Sequence, residues 1–211
     1  MIEKEIAKSL LDVKAVFLRP NEPFTWASGI KSPIYCDNRL VLSFPEKRDL
    51  VKNGLVDLIK KAYPDVEVIM GTATAGIPMA ALTADVMGIP MGYVRSSNKT
   101  HGKENKIEGR VLPGQKVVVV EDLISTGGSC IGVVEALREA GAVVLGVAAI
   151  FSYQLQDAVN NFGSIDCPFV TLSNYDALIE TALELDYIKA EDLEKLKAWK
   201  QDPKDESWMT K

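Results

Sequence analysis

The chain has 211 residues, of which 47% are hydrophobic and 25% are charged, and its formal net charge is -5. This length and composition suit one well-packed globular domain, whereas a general nucleic-acid binder would be expected to carry a basic face. The three cysteines, an odd number without metal-type spacing, are typical of reduced thiols. No stretch resembles a signal peptide or a membrane span. We therefore expect a cytoplasmic protein that binds neither membranes nor nucleic acid.

Helical and strand patterns alternate along the chain. The predicted elements, in chain order, are a helix over residues 2–17, a helix over 46–62, a strand over 66–70, a helix over 77–88, a strand over 89–94, a strand over 116–120, a helix over 131–141, a strand over 142–151, an edge strand over 167–172 and a helical tail from residue 174. Such alternation indicates an α/β fold with a parallel sheet between helices. We expect one domain over residues 1–211, with the core sheet in about 65–172.

The stretch VVVVEDLISTGGS, residues 117–129, is the most distinctive motif of the chain. Its valines predict a buried parallel strand, and Glu121 and Asp122 stand at the carboxyl end of that strand. Residues 125–129 then form a loop of hydroxyl groups and glycines that leads into a helix. Because backbone N–H groups and a helix N-terminus attract anions, we predict that this loop binds a phosphate.

The acid pair narrows the choice of ligand, because carboxylates beside a phosphate would repel it unless a neutral group lay between them. A ribose 5-phosphate meets this condition, with its phosphate in the loop and its 2- and 3-hydroxyls donating to Glu121 and Asp122. The motifs G-x-x-x-x-G-K-[ST] and G-x-G-x-x-G before a helix, which bind nucleotides in other folds, do not occur in the sequence.

The motif resembles the phosphoribosyl pyrophosphate (PRPP) signature of type I phosphoribosyltransferases, in which a hydrophobic strand is followed by two acids and a Thr/Ser-Gly loop. The resemblance implies a Rossmann-like parallel sheet flanked by helices. A second strand-to-helix loop, GTATAG at residues 71–76, consists only of small and hydroxyl residues and is similar to the pyrophosphate loop of that family. The two loops would then hold both anionic ends of PRPP.

A polar segment without periodicity, RSSNKTHGKENKIEGR at residues 95–110, has more basic than acidic residues and contains His101, the only histidine. We interpret it as a mobile loop that closes over a polyanion, the alternative being an ordinary solvated loop. It resembles the catalytic lid of orotate phosphoribosyltransferases at Arg95, Lys99, His101 and Gly102, and in a following Ile-Glu-Gly. The resemblance implies a homodimer in which each lid reaches the active site of the partner.

The segment PFTWASGIKSPIYCDNR, residues 23–39, combines aromatic residues with Ser-Gly and Ser-Pro turns, which suits the binding of a flat heterocycle. It is very similar to the F-T-x-x-S-G-x-x-S-P-x-Y-x-D-x-R block of orotate phosphoribosyltransferases. The resemblance implies a small N-terminal hood, about residues 1–45, over the base site. It assigns orotate contacts to Ser28, Ile34, Tyr35 and Ser125.

The chain departs from the family pattern at a few positions. Some members carry lysines where this chain has Ala27, Ala75 and Ser96, and an Asp-Arg pair where it has Ser152 and Tyr153. Those cations contact the base or the pyrophosphate, so the recognition of the orotate carboxylate must differ in detail here. The departures leave Arg95, Lys99, His101 and the motif at 117–129 in place.

By resemblance, we predict transfer of phosphoribosyl from PRPP to orotate, giving orotidine 5'-monophosphate and pyrophosphate in pyrimidine synthesis. Lys99, His101 and Arg95 are the predicted catalytic residues, and Mg²⁺ is expected to bind mainly through PRPP and water, near Asp122. The predicted PRPP contacts are Arg95, Lys99, His101, Glu121, Asp122, Leu123, Ile124, Ser125, Thr126, Gly127, Gly128, Ser129, Thr72, Ala73 and Thr74. The alternatives are transfer to a purine base and a non-catalytic regulator that senses PRPP.

Overall fold

The structure, a computed structural model, describes residues 1–26, 28–95 and 106–211. The helices within these residues are α1 (Ile2–Asp12), α2 (Pro45–Ala62), α3 (Gly76–Met87), α4 (Gly128–Glu139), α5 (Gln156–Ser164), α6 (Tyr175–Glu184) and α7 (Leu193–Gln201). The strands are β1 (Val16–Leu18), β2 (Phe24–Thr25), β3 (Lys31–Ser32), β4 (Ile34–Cys36), β5 (Val68–Thr72), β6 (Met91–Val94), β7 (Ile107–Glu108), β8 (Lys116–Ile124), β9 (Val143–Ser152) and β10 (Phe169–Asn174). Short 3₁₀ helices occur at Asn38–Ser43, Ala190–Asp192 and Glu206–Thr210.

A central sheet with the strand order β10-β9-β8-β5-β6-β7 organises the molecule. All neighbouring pairs in it are parallel except β6 and β7, which are antiparallel. The strand order reverses between β5 and β8, because the chain runs from β5 outward to β6 and then returns to β8 on the other side. In open α/β sheets, ligands bind beyond the carboxyl ends of the strands at such a switch point. The predicted α/β fold is confirmed.

Helices cover both faces of the sheet, and alternate side chains of β8 pack into the two cores that result. Val118 and Val120 belong to a core shared with α1, α2, α3, α6 and α7, whereas Val117 and Val119 belong to a core shared with α4 and α5. All four valines are fully buried. Each such side chain removed from water contributes about 1.5–3 kcal/mol, so the valine run stabilises both layers at once.

The first helix is shorter than the predicted helix over residues 2–17, which was wrong at its carboxyl end. The helix α1 ends at Asp12, and Lys14 adopts a left-handed conformation with φ of 56°. Residues 16–18 instead form β1, which pairs with β4 in an antiparallel ladder. The partner strand lies about twenty residues downstream, so this pairing could not be recognised from local periodicity.

The strands also differ in length from the predicted ones. The strand β8 continues through the acid pair to Ile124, although the sequence suggested a strand that ends at Val120. Its neighbour β5 stops pairing at Val120, while β9 pairs with it as far as Ile124. Residues 121–124 therefore form a one-sided extension that projects beyond β5. In the described part of the chain, no helix is long and apolar enough to cross a membrane.

The N-terminal segment forms a separate small layer. Its strands pair as β1 with β4 and β2 with β3, and the 3₁₀ turn at Asn38–Ser43 follows. The helix α1 instead packs against α6 and β10, on the main core. The side-chain amide of Asn38, which is buried, donates to the carbonyl oxygen of Asp122 at 2.7 Å. This bond joins the N-terminal layer directly to the extension of β8.

Candidate active site

The predicted phosphate loops occupy neighbouring positions at the switch point of the sheet. Loop 71–76 connects β5 to α3, and loop 125–129 connects β8 to α4. Because β5 and β8 are adjacent parallel strands, both loops lie at the carboxyl edge of the sheet. Two helix N-termini with open N–H groups therefore flank the crevice, which suits a ligand with two anionic ends.

The acid pair lies on the one-sided extension of β8. The Glu121 carboxylate accepts from the backbone N–H of Asp122 at 3.0 Å and from the Ser129 hydroxyl at 3.1 Å. The Asp122 carbonyl accepts from Asn38. The N–H and the carbonyl of Asp122 are thus both hydrogen-bonded to side chains, at a point where β5 no longer pairs with β8. Buried backbone groups require such partners. These bonds fix the main chain of the pair.

The two carboxyl groups differ in environment. Glu121 is buried, whereas Asp122 is half-buried and within electrostatic reach of Arg39. Burial, and after it the charge of Asp122, raises the pKa of Glu121 to about 8. Burial also raises the pKa of Asp122, while a hydrogen bond with Glu121 opposes that rise. Burial and the neighbouring charge therefore favour the protonated form of Glu121 in the free protein.

Loop 125–129 needs glycine at residue 127. Gly127 has φ of 84°, and a Cβ there would lie 2.7 Å from the Phe162 ring, so any other residue would be strained and would clash. The side-chain amide of Asn161 donates to the Thr126 carbonyl at 2.9 Å. This side of the loop is thus tied to α5, while Gly128 and Ser129 are exposed to the crevice at the start of α4.

Loop 71–76 packs tightly against β8. A Cβ added to Gly76 would lie 2.3 Å from the carbonyl oxygen of Val120, so the start of α3 can approach β8 this closely only with glycine. The backbone N–H of Ala73 donates to the Val94 carbonyl at 3.0 Å, and the peptide bond between Ala73 and Thr74 is cis. The hydroxyl of Thr72 is buried at the end of β5.

The described ends of the predicted lid are anchored to the sheet. The backbone N–H of Arg95 donates to the carbonyl of Lys106 at 2.9 Å, and the Arg95 side chain pairs with Glu108 at 3.1 Å. Ile107 and Glu108 form β7, which the sequence analysis did not predict. Lys99 and His101, predicted to be catalytic, lie outside the described residues, as does Ser96.

A pocket of about 450 Å³ lies between the N-terminal layer and the carboxyl ends of β8 and β9. It is lined by Phe24, Thr25, Trp26, Tyr35, Cys36, Leu123, Ser125 and Tyr153. Leu123 directly follows the acid pair and Ser125 begins loop 125–129, so the pocket adjoins the crevice at the switch point. The aromatic lining suits a planar ring, which would extend from a sugar bound at the acid pair.

An aromatic cluster supports the wall of this pocket. Trp26 stacks on Tyr153 with ring centroids 5.3 Å apart, and Trp199 of α7 contacts both rings edge-on. The indole N–H of Trp199, which is fully buried, donates to the Lys31 carbonyl at 3.1 Å. The sequence patterns predicted only a helical tail from residue 174, so this support was missed; a tryptophan in an otherwise charged helix was the available signal.

The four predicted orotate contacts take different positions. Ser125 and Tyr35 line the pocket. Ile34 is fully buried, and its carbonyl accepts from the Trp26 indole N–H at 3.2 Å. Ser28 is exposed, in the turn between β2 and β3. Trp26, Tyr153 and Leu123 line the pocket although none of them was among the predicted base contacts.

Comparison with known proteins agrees with this geometry. A family model described as the phosphoribosyl transferase domain matches residues 47–169, which run from α2 to the start of β10. The chain is 61% identical to a curated orotate phosphoribosyltransferase from Bacillus pumilus, over 99% of this chain and 98% of the relative. It is 58% identical to one from Enterococcus faecalis, over 98% of each chain. The chain belongs to the orotate phosphoribosyltransferase family.

A solved structure supports the same fold. The orotate phosphoribosyltransferase from Aeropyrum pernix superposes with a TM-score of 0.75 at 27% sequence identity. The match covers 87% of this chain and 99% of that protein. The predicted fold class, with its parallel sheet between helices, is therefore shared with a member of the family.

Proposed function

We propose that the crevice and the aromatic pocket together carry the reaction of the family, which is transfer of the phosphoribosyl group from PRPP to N1 of orotate. The products are orotidine 5'-monophosphate and pyrophosphate, in pyrimidine synthesis. The observation that carries the proposal is the continuity of the two sites. Leu123 follows the acid pair on β8, Ser125 begins the loop after that strand, and both line the pocket, so a base in the pocket lies beside a sugar at Glu121 and Asp122.

PRPP would be held along the carboxyl edge of the sheet. Its 5-phosphate would accept hydrogen bonds from loop 125–129 and the start of α4, and its pyrophosphate from Thr72, Ala73 and Thr74 in loop 71–76. The ribose hydroxyls between them would donate to the carboxylates of Glu121 and Asp122. The partial positive charge of each helix N-terminus would offset the negative charge of the ligand.

The leaving pyrophosphate gains negative charge as the glycosidic bond breaks, so catalysis is expected to be mainly electrostatic. We propose that Arg95, Lys99 and His101 stabilise this charge, with His101 as a proton donor. The acid pair would favour the positive charge that develops at the anomeric carbon. Closure of the lid, residues 95–110, would exclude water that could otherwise hydrolyse PRPP.

The donor set near the sugar fits Mg²⁺ bound mostly by its substrate. No group of three or more His, Cys, Asp or Glu side chains that could hold a metal occurs among the residues with described coordinates. Asp122 offers one half-buried carboxylate. Mg²⁺ typically keeps several waters and takes one or two carboxylates together with substrate phosphates, so Asp122 would hold it next to PRPP. When bound, it would neutralise charge on the pyrophosphate.

We also propose a homodimer in which the lid of one subunit closes the site of the other. The family resemblance of residues 95–110 supports this proposal, and complementation would test it. Lys99→Ala removes a lid function and Asp122→Asn removes a sugar-site function. If each lid serves the partner, the two inactive variants should regain activity on mixing, because a mixed dimer contains one intact site. No recovery in verified mixed dimers would place lid and site in the same subunit.

The reaction itself can be tested with purified protein, PRPP and Mg²⁺ by following the absorbance of orotate. Turnover is expected with orotate and not with adenine, hypoxanthine or uracil. A reaction with a purine instead would refute the assignment of the base, and no reaction with any base would refute the transferase activity.

A second experiment concerns Lys99. Lys99→Ala is expected to lower kcat about a hundredfold or more, whereas Lys103→Ala in the same loop should change it little. Equal kcat values for Lys99→Ala and the wild type would contradict the proposed role.

A further inference from the structure

Tyr153 forms the inner wall of the base pocket. It directly follows β9, and its backbone N–H donates to the Ile124 carbonyl at 3.1 Å, which holds it beside the end of β8. Its ring stacks on Trp26 and meets the edges of Phe151 and Trp199 at centroid distances of 5.9 and 6.0 Å. These contacts fix the ring from several sides, so the position of its hydroxyl oxygen is also fixed, while the O–H bond can rotate toward an acceptor.

The hydroxyl of Tyr153 has no hydrogen-bond partner among the residues that the structure describes, although the residue is only 3% exposed. The other deeply placed tyrosines differ. Tyr175 donates to the Leu196 carbonyl at 3.1 Å, and Tyr63 lies 3.3 Å from the Val147 carbonyl. The fully buried and unpartnered polar atoms of the described residues are others, such as the Thr72 hydroxyl, so the Tyr153 hydroxyl keeps a small contact with solvent. Because Tyr153 lines the pocket, a bound ligand can supply the missing acceptor.

The position of the hydroxyl indicates which part of a ligand it meets. Cys36 and Tyr35, which line the base pocket, and Asp122 of the sugar site are all within electrostatic reach of it, so the hydroxyl lies where the two sites adjoin. In orotate the carboxylate is on C6, next to the N1 atom that becomes bonded to the ribose. A bound orotate must therefore place its carboxylate beside this same junction.

Tyr153 is also suited to an anion by its state of ionisation. Burial, with the negative groups around it, raises the pKa of the phenol well above its ordinary value, so the group remains a neutral donor. The described residues that line the pocket include no lysine or arginine, so a donor from this lining is a neutral group; the hydroxyls are those of Tyr153, Thr25, Tyr35 and Ser125.

We propose that Tyr153 is a specificity-determining residue, which donates a hydrogen bond from its hydroxyl to the C6 carboxylate of the pyrimidine. The inference rests on the proposed function. It explains how a pocket of aromatic and small residues discriminates orotate from uracil, because only orotate offers a charged acceptor to the otherwise unpaired hydroxyl.

The test compares two nucleotides that differ only in the carboxylate, orotidine 5'-monophosphate and uridine 5'-monophosphate, by calorimetric titration. Tyr153→Phe removes the hydroxyl and keeps the stacked ring. We expect the Kd of orotidine 5'-monophosphate to rise about tenfold or more, since a hydrogen bond to a charged group is lost. The Kd of uridine 5'-monophosphate should stay within about twofold, and KM for orotate should rise more than kcat falls.

Tyr175→Phe is the matched control, because it removes a tyrosine hydroxyl from the same aromatic cluster that bonds to a helix carbonyl and not to the pocket. It should leave the ratio of the two Kd values unchanged. An unchanged ratio in Tyr153→Phe, or equal weakening of both nucleotides, would overturn the inference. Failure of the wild-type protein to turn over orotate would instead overturn the proposed function, so the two failures are distinguishable.

Discussion

Substitution of Gly76 by alanine tests whether the close approach of α3 to β8 shapes the active site. The added Cβ would lie 2.3 Å from the Val120 carbonyl oxygen and 3.3 Å from the Glu121 Cα. An ordinary carbon–oxygen contact is about 3.3 Å, so relief requires a displacement of about 1 Å. At Val120, β8 is paired on both sides, with β5 and β9, and the start of α3 is therefore the part that must move.

The expected magnitude follows from this displacement. Overpacking of this kind costs about 1–3 kcal/mol, which corresponds to a fall in Tm of roughly 2–12 °C for a chain of this size. Moving loop 71–76 by 1 Å relative to the acid pair separates two groups that must bind one molecule of PRPP. Misplacement of this size lowers rates by about a hundredfold, and we expect that loss in kcat/KM for PRPP.

The assay is steady-state turnover of orotate at varied PRPP, with thermal unfolding of the same samples. Gly132→Ala in α4 is the control, because a Cβ there meets no atom within 4 Å. It should keep full activity and the same or slightly higher stability, since alanine favours the helix by about 1 kcal/mol. Wild-type kcat/KM and Tm in Gly76→Ala would refute the argument from close packing.

Three further changes test the surroundings of the acid pair. Asn38→Ala leaves the Asp122 carbonyl without its donor. It should lower the free energy of unfolding by about 1–3 kcal/mol in urea titrations and raise KM for PRPP. An unchanged KM would contradict a functional link between the N-terminal layer and the extension of β8. Trp199→Ala should lower the free energy of unfolding by about 3–5 kcal/mol and weaken orotate binding, and Trp199→Phe should have smaller effects of both kinds. Unchanged orotate binding in Trp199→Ala would show that α7 does not support the pocket. For Glu121 the pKa is raised from 4.5 to about 8 in the folded protein, so its contribution to stability is greatest below pH 4.5 and is lost as the pH rises to about 8. Glu121→Gln should therefore gain stability relative to the wild type across that window, and a pH-independent difference in urea titrations would refute the assignment of the proton.

Local patterns were sufficient for the framework of the site. Three segments form this framework, and each is continuous in the sequence: the valine run of β8, loop 71–76 and loop 125–129. The residue types that define each segment can therefore be recognised without knowledge of distant contacts. Parallel strands then bring loops of this type to one edge of a sheet, so their neighbourhood at the switch point followed from the fold class.

Other features depend on contacts between distant parts of the chain and could not be predicted in the same way. The strand β1 forms only because residues 34–36 pair with it, and Trp199 reaches Trp26 across most of the sequence. The extension of β8 past Val120 was missed because two acids interrupt its apolar pattern. Its ladder with β9 continues regardless, since backbone pairing does not require apolar side chains.

The central claim is that a single continuous site holds the sugar at the acid pair and the base in the aromatic pocket. A crystal structure of the protein with orotidine 5'-monophosphate tests it most directly. The account predicts the phosphate at residues 125–129, the ribose hydroxyls at Glu121 and Asp122, and the pyrimidine between Phe24, Trp26 and Tyr153. A pyrimidine bound outside this pocket, or a phosphate bound away from loop 125–129, would contradict the account.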